Sequence, residues 1–302
     1  MAYGRADRWK IVAAFGAIYF LWGGTYLAIA VGLQTIPAFL LMGTRSVIGG
    51  AVLLLLSKFW GFAARPPRDW MHGAISGVLL FVGCHGALAY AEHFIPSGLS
   101  AVVLATIPFW IVLVNLAIGQ HESLRKLAGL LPGLLGVALI AWRGASSSDQ
   151  PLPFSMIALL LASSLSWALG TVYSQRRASH IPSHDLAGMQ LICGGIGLLL
   201  LSTMSGEWRT FRIEDVSIAS LGAMIYLALL GSAVANTAYL WLIDRMSAPL
   251  VATYTFVNPV VALLLGWWVL NEGITLASAI GAALVIGSVV LVQLLKGNAA
   301  HD

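Results

Sequence analysis

Charge is scarce in this chain. Only 12 acidic and 16 basic side chains occur among 302 residues, 9% of the total. A soluble domain carries about 25%, and so little charge cannot cover a water-facing surface. Cysteine is scarce too. Cys84 and Cys193 both fall inside apolar runs and read as small core residues, which argues against a disulfide. No G-x-x-x-x-G-K-[ST] occurs, so ATP hydrolysis on a phosphate loop is excluded. No H-E-x-x-H or G-x-S-x-G occurs, which removes the obvious metalloprotease and nucleophile-elbow readings. The basic residues are scattered over loops, so the net charge of +4 is no nucleic-acid footprint. Neither a metal nor a cofactor is expected.

What remains is apolar sequence, 59% of the chain, in long runs separated by short polar breaks. Crossing about 30 Å of hydrocarbon takes roughly 20 helical residues. Ten spans fit: 10–33, 36–57, 71–92, 98–119, 126–143, 153–174, 185–205, 217–242, 248–270 and 275–295. Nine spans with one re-entrant segment is the alternative. The first run lacks a clear small-residue cleavage site and reads as a retained span. Ten spans put both termini on one side. That side collects 12 basic residues against 3 on the other, with Arg45 inside a span, so both termini are expected in the cytoplasm.

The chain also repeats itself. Ile36-Pro37, Gly43, Gly49-Gly50 and Leu53 to Ser57 recur 145 residues later as Ile181-Pro182, Gly188, Gly194-Gly195 and Leu198 to Ser202. Of the 22 positions from Ile36 to Ser57, 11 are identical without a gap. Trp22 lands on Trp167 at the same spacing. The third to fifth spans match the eighth to tenth more weakly, at a spacing of 151, where Pro108 meets Pro259. Five spans per half is an odd number, so the halves, 10–143 and 153–296, should have inverted topology. The expected fold is an all-α integral membrane protein of ten transmembrane helices in two inverted five-helix repeats. Inverted halves can exchange conformations and turn one site from facing in to facing out.

A few polar residues stand at membrane depth. Arg45 lies eight residues past Pro37, roughly 12 Å into the bilayer at about 1.5 Å per residue. An intramembrane charge is costly and faces a bundle interior or cavity. Arg45 is either a fork for a substrate carboxylate or phosphate, or a structural donor to helix-end carbonyls. Gln190 holds its place in the second half. Trp22 and Trp167 fall near the midplane, as cavity lining or as packing, whereas Trp9, Trp60, Trp70, Trp142 and Trp208 sit at span ends like interface anchors. Thr25 and Tyr26 share the face of Trp22. His85, matched by Asn236, is either a core histidine or a proton site. Glu92 and His93, at the outer end of the same helix, are either proton-relay or solvated edge residues. Tyr254 and Asn258 add polar groups to the ninth span. Pro108 and Pro259 are candidate kinks, each freeing a carbonyl four residues earlier.

Several of these residues resemble a known family. Trp22-Gly23-Gly24-Thr25-Tyr26 followed by Arg45, Ala101 to Pro108 with Glu122, and Asn258-Pro259 with Glu272 are similar to the EamA family of the drug/metabolite transporter superfamily. Ala91-Glu92-His93-x-x-Pro96-Ser97-Gly98 looks like its YedA-type bacterial inner-membrane exporters. The resemblance covers residues 10 to 295. It implies ten helices, a bacterial cytoplasmic-membrane location and efflux of small metabolites or drugs. The sequence departs from the family pattern at Gln190 opposite Arg45, and at Leu131 where a glycine is usual.

The combined expectation is a secondary transporter working by alternating access. Its partners are a small amphipathic solute, such as an amino acid or a neutral drug, and the lipid bilayer. Protons are the candidate coupling ion, and a homodimer is left open. A membrane-embedded enzyme and a passive channel are the rival readings. No acidic side chain lies well inside a span, which disfavours permanent cations as substrates.

Overall fold

The computed structural model describes residues 5–59, 65–94, 100, 103–120, 124–145, 154–270 and 276–297. Among them there is no strand. Glu122 and Glu272, and residues 95–99 of the exporter-like motif, lie outside the described residues.

Among the described residues the following helices carry the fold. They are α1 (Arg8–Gly32), α2 (Ala38–Phe59), α3 (Pro67–Ala91) and α4 (Ile107–Ala117). Then come α5 (Leu124–Ala145), α6 (Phe154–Arg177), α7 (Ser183–Met204) and α8 (Ile218–Ile243). Last are α9 (Tyr254–Leu270), after a single turn Ala248–Val251, and α10 (Leu276–Gly297). Six of them, α1, α2, α3, α6, α7 and α8, are long and apolar enough to cross a membrane, and the others hold shorter apolar stretches. Each falls in one of the ten expected spans.

Local sequence explains several boundaries. Pro66-Pro67 opens α3 and Pro182 precedes α7, positions where the missing N–H costs nothing. Gly206, at φ +78°, reverses the chain just after α7, in a conformation that disfavours side chains. Pro108 behaves differently from the expected kink. A turn over 105–106 ends one helical segment, and Pro108 sits in the first turn of the next. The chain is therefore broken before this proline, not bent at it. Pro259 does lie inside its helix, six residues beyond a turn at 252–253.

The distribution of side chains is that of a protein in lipid. Phe20, Leu55, Leu135 and Leu200 stand outward, each more than half exposed. Arg45, Asp185, Gln190 and Asn236 are buried at 2%, 2%, 0% and 1% exposure. A water-soluble protein would reverse that pattern.

The repeat governs the packing. Gly43 on α2 faces Leu199 on α7, and Gly188 on α7 faces Leu54 on α2. Gly50 meets Ile192, and Gly195 meets Val47. In each pair of contacts, adding 145 to one member gives its counterpart. As the residue number rises along α2 its partner's falls along α7, so these equivalent helices run antiparallel. Equivalent helices that pack antiparallel are related by an axis across the bundle, as inverted halves require. The glycines allow the two backbones to approach closely. Helices α5 and α10 form a second such pair, tied by Ser288 Oγ donating to the Gly129 carbonyl at 2.7 Å.

Two further symmetric features stand out. Helices α3 and α8 each contain a π-helical stretch, Val78–Gly86 and Leu227–Val234, in corresponding places. Such wider turns commonly mark functional segments. Ser57 and Ser202, 145 residues apart, each donate to a carboxylate at opposite ends of the α2–α7 pair. Ser57 bonds Asp185, which also holds Arg65. Ser202 bonds Glu207, whose carboxylate accepts from Phe39 N (3.0 Å) and Leu40 N (2.9 Å) at the start of α2.

Candidate substrate cavity

Trp22 and Trp167 meet in the centre of the bundle, ring centroids 5.7 Å apart and edge to face. A residue that touches its own repeat equivalent lies on the axis relating the halves. Tyr239 and Tyr254 close the group: Tyr254 lies 4.4 Å from Trp22, and Tyr239 lies 5.3 Å from Trp22 and 5.7 Å from Trp167. T-shaped and tilted contacts of this kind are the favoured ones for aromatic rings. Tyr239 was not foreseen. It lies three residues after Asn236 on α8, and its hydroxyl bonds Thr171, four residues after Trp167, at 2.6 Å. Helical spacing from those two residues was the available signal.

Beside this aromatic group is a small cavity with about 30 Å³ open to water. Its walls include Trp22, Thr25, Tyr26, Arg45, His85, Trp167, Tyr254 and Asn258. Eight residues singled out from sequence thus come together from α1, α2, α3, α6 and α9. Cys84, Leu88 and Thr255 also line it, and sequence reasoning had not assigned them to a site. Two larger crevices, about 570 and 510 Å³, are open to the outside and almost wholly apolar. In a bilayer those face acyl chains, so the smaller and more polar cavity is the one with chemistry.

Arg45 provides the charge. Its Nη2 lies 2.9 Å from His85 Nδ1. Its Nε is buried with no hydrogen-bond partner, and the ion pairs among the described residues leave it without a carboxylate. Trp167 Nε1 and Asn258 Oδ1 are likewise buried and unpartnered. The cavity therefore has two unanswered donors, Arg45 Nε–H and Trp167 Nε1–H, and one unanswered acceptor. Buried polar groups in this condition are rare without a ligand or water to meet them. Trp22 differs from Trp167, because its Nε1 donates to the Gly231 carbonyl at 2.8 Å. Thr25 Oγ1 turns back to the Trp22 carbonyl at 2.6 Å.

Other candidates fall elsewhere. Gln190 does not reach the cavity. Its amide nitrogen donates to Ser76 and Ser174, both at 2.9 Å, and its oxygen faces Asn236 Nδ2 at 3.5 Å. His93 is exposed, whereas Glu92 Oε1 is buried and unpartnered at the end of the helix carrying His85. Glu92 is near enough to Tyr26 to interact with it electrostatically. Trp9, Trp70 and Trp208 are exposed at helix ends.

Comparison with known proteins agrees with this architecture. The model of the EamA-like transporter family matches residues 8–142 and again residues 154–294. The chain belongs to the EamA-like transporter family. As a member it is a multi-pass membrane transporter. Its EamA-like relatives include the uncharacterized inner membrane transporter YedA of Escherichia coli (strain K12). That protein is 33% identical over 288 residues, 95% of this chain and 91% of that one. The uncharacterized transporter YoaV of Bacillus subtilis (strain 168) is 26% identical over 283 residues, 91% of this chain and 94% of that one. Protein PecM of Dickeya dadantii (strain 3937) is 26% identical over 283 residues, 90% and 89% of the two chains. A crystal structure 24% identical in sequence superimposes with a TM-score of 0.78, covering 95% of this chain and 98% of that one, so the two share a fold.

Proposed function

We propose that this transporter is a secondary exporter of small amphipathic metabolites, working by alternating access around the Trp22–Trp167 cavity. The observation that carries the reading is Arg45, buried against the cavity with no carboxylate partner among the described residues. A cation in that position needs an anion, and a substrate carboxylate fits its planar donor fork. The aromatic group beside it suits an apolar body. Asn258 Oδ1 offers an acceptor for an ammonium group, so amino acids and related zwitterions fit best. Neutral amphipathic drugs are the second class, using the aromatic wall alone.

The mechanism follows from the antiparallel packing of equivalent helices. Two interchangeable arrangements of the halves open the cavity to either face, with no ATP site needed. Outward export, both termini in the cytoplasm, a bacterial inner membrane and proton coupling through His85, Glu92 or His93 belong to the same reading. The chain is expected to act on its own bundle whether or not it pairs as a homodimer. A channel would lack saturable exchange, and an enzyme would change its solute.

Two measurements test it. A metabolite survey of medium from cells with and without the protein should show one class of carboxylate enriched. In proteoliposomes, that solute should exchange saturably, and Arg45→Lys, which keeps the charge but loses the planar fork, should slow carboxylate exchange several-fold while the protein remains folded. Unchanged exchange by Arg45→Lys overturns the carboxylate role.

A further inference from the structure

Arginine has donors only, so the 2.9 Å contact between Arg45 Nη2 and His85 Nδ1 fixes a direction. Nδ1 accepts, and His85 is therefore neutral with its proton on Nε2. Its ring is held between Phe81, 5.2 Å away on the same helix, and Trp167, 5.0 Å away on α6. The charged and titratable groups around it are few. Arg45 faces it from α2, and Cys84 is its neighbour on α3. Tyr26 from α1 and Tyr254 from α9 share the cavity, and Glu92 stands further along α3. In this arrangement, then, a neutral histidine occupies one donor of a cation that has no carboxylate partner among the described residues.

We infer that binding of a monoanion at Arg45 is linked to uptake of a proton by His85, so that anion and proton cross the membrane together. This rests on the reading of the cavity as an anion site. A substrate carboxylate engaging Arg45 competes for the Nη2 donor that His85 Nδ1 now accepts. Once released, Nδ1 is a free acceptor beside a new negative charge. It takes a proton from solvent, keeps it, and donates an Nδ1–H hydrogen bond to the carboxylate. No covalent bond to the solute forms or breaks. By reciprocity, a proton on His85 raises anion affinity by the factor that the anion raises proton affinity. The charge balance follows. The empty site carries Arg45 alone, and the loaded site carries Arg45, protonated His85 and the anion. Both have the same net charge, so the coupled movement is electroneutral.

The second half has no such device. The equivalent residues, Gln190 and Asn236, form a neutral amide pair. Asparagine, which stands at the equivalent place in the second half, makes His85→Asn the natural control.

The experiment is calorimetry on the purified full-length protein with benzoate as probe, near neutral pH, in buffers of different ionisation heat. The expected result is uptake of up to one proton per benzoate bound, with affinity rising toward about tenfold for each unit of pH lowered. His85→Asn should take up no proton, and whatever benzoate affinity it keeps should no longer rise as the pH is lowered. Binding without uptake, or with proton release, overturns the linkage and leaves the anion site standing. Uptake that persists in His85→Asn overturns the assignment to His85. Absence of benzoate binding, or binding that Arg45→Gln leaves unchanged, overturns the anion site and the linkage with it.

Discussion

The two halves of the bundle share a frame and differ in chemistry. The frame repeats down to single contacts: Gly43 with Leu199 and Gly188 with Leu54, Trp22 against Trp167, a π-helical stretch in α3 and in α8. The polar pair inside that frame does not repeat. In the first half it is Arg45 with His85, one ionised and one titratable. In the second it is Gln190 with Asn236, two neutral amides, of which Gln190 is held by Ser76 and Ser174. A frame that must rearrange to an equivalent state is constrained twice, once in each half. Recognition needs only one charge, and a second arginine so near the first would repel it. The difference therefore separates residues that serve movement from residues that serve the solute.

The sharpest way to break the comparison is to attack the frame. Gly50 and Gly195 are equivalent, and a Cβ built on either meets backbone across the α2–α7 contact within 2.9 Å. Gly50→Val and Gly195→Val should each destabilise by about 3 kcal/mol, the upper part of the overpacking range. Folded yield and thermal unfolding in detergent read this out. If one is tolerated and the other is not, the contact is not a symmetric one.

Charge comes next. Arg45→Gln gives the first half the side chain of the second. It removes charge-assisted bonds of about 1.5–3 kcal/mol, which corresponds to roughly 10- to 100-fold in affinity for an anionic solute. Exchange of carboxylate probes in proteoliposomes should fall by that factor, while neutral probes hold within a few-fold. An equal fall for both would mean that Arg45 supports the fold instead. The opposite half should respond in the opposite way. Gln190→Leu leaves Ser76 and Ser174 without their shared partner and should cost about 1–3 kcal/mol of stability, with anion affinity unchanged.

That contrast also marks what the sequence made legible. Ten apolar runs, a repeat and one misplaced charge were enough to place the spans and to bring Trp22, Arg45, His85 and Trp167 into one region. Gln190 was read as Arg45's counterpart, which is right for the frame and wrong for the cavity. The serines that satisfy it sit on α3 and α6, and small hydroxyl residues on long apolar helices form no pattern that reveals their partners. Pro108 was misread for a related reason. Proline is as comfortable in a first turn as at a kink, and an unbroken apolar run hides which one applies. The π-helical stretches leave no trace in side-chain periodicity, because they change the backbone register only locally. Tyr239 was within reach, one turn from Asn236, but lacked a charge to draw notice. Asp185 and Glu207 belong to contacts between distant helix ends, which periodicity along one helix cannot show.

The smallest test concerns the two tryptophans, where the frame is most nearly symmetric. Trp22 Nε1 donates to Gly231 O in the π-helical stretch of α8, while Trp167 Nε1 is buried without a partner. Phenylalanine keeps most of the ring packing and removes only the N–H. Trp22→Phe should therefore cost about 1 kcal/mol of stability, since it removes a buried hydrogen bond between α1 and α8. Trp167→Phe removes at most a weak contact with the Tyr239 hydroxyl and should cost less stability than Trp22→Phe. Its loss should appear in solute affinity, by about fivefold, because its N–H is available to a bound anion beside Arg45. If Trp167→Phe instead destabilises the protein as much as Trp22→Phe and binding is unaltered, the unpartnered N–H has no part in recognition. Asn258 would then remain as a polar contact that the second half offers the solute.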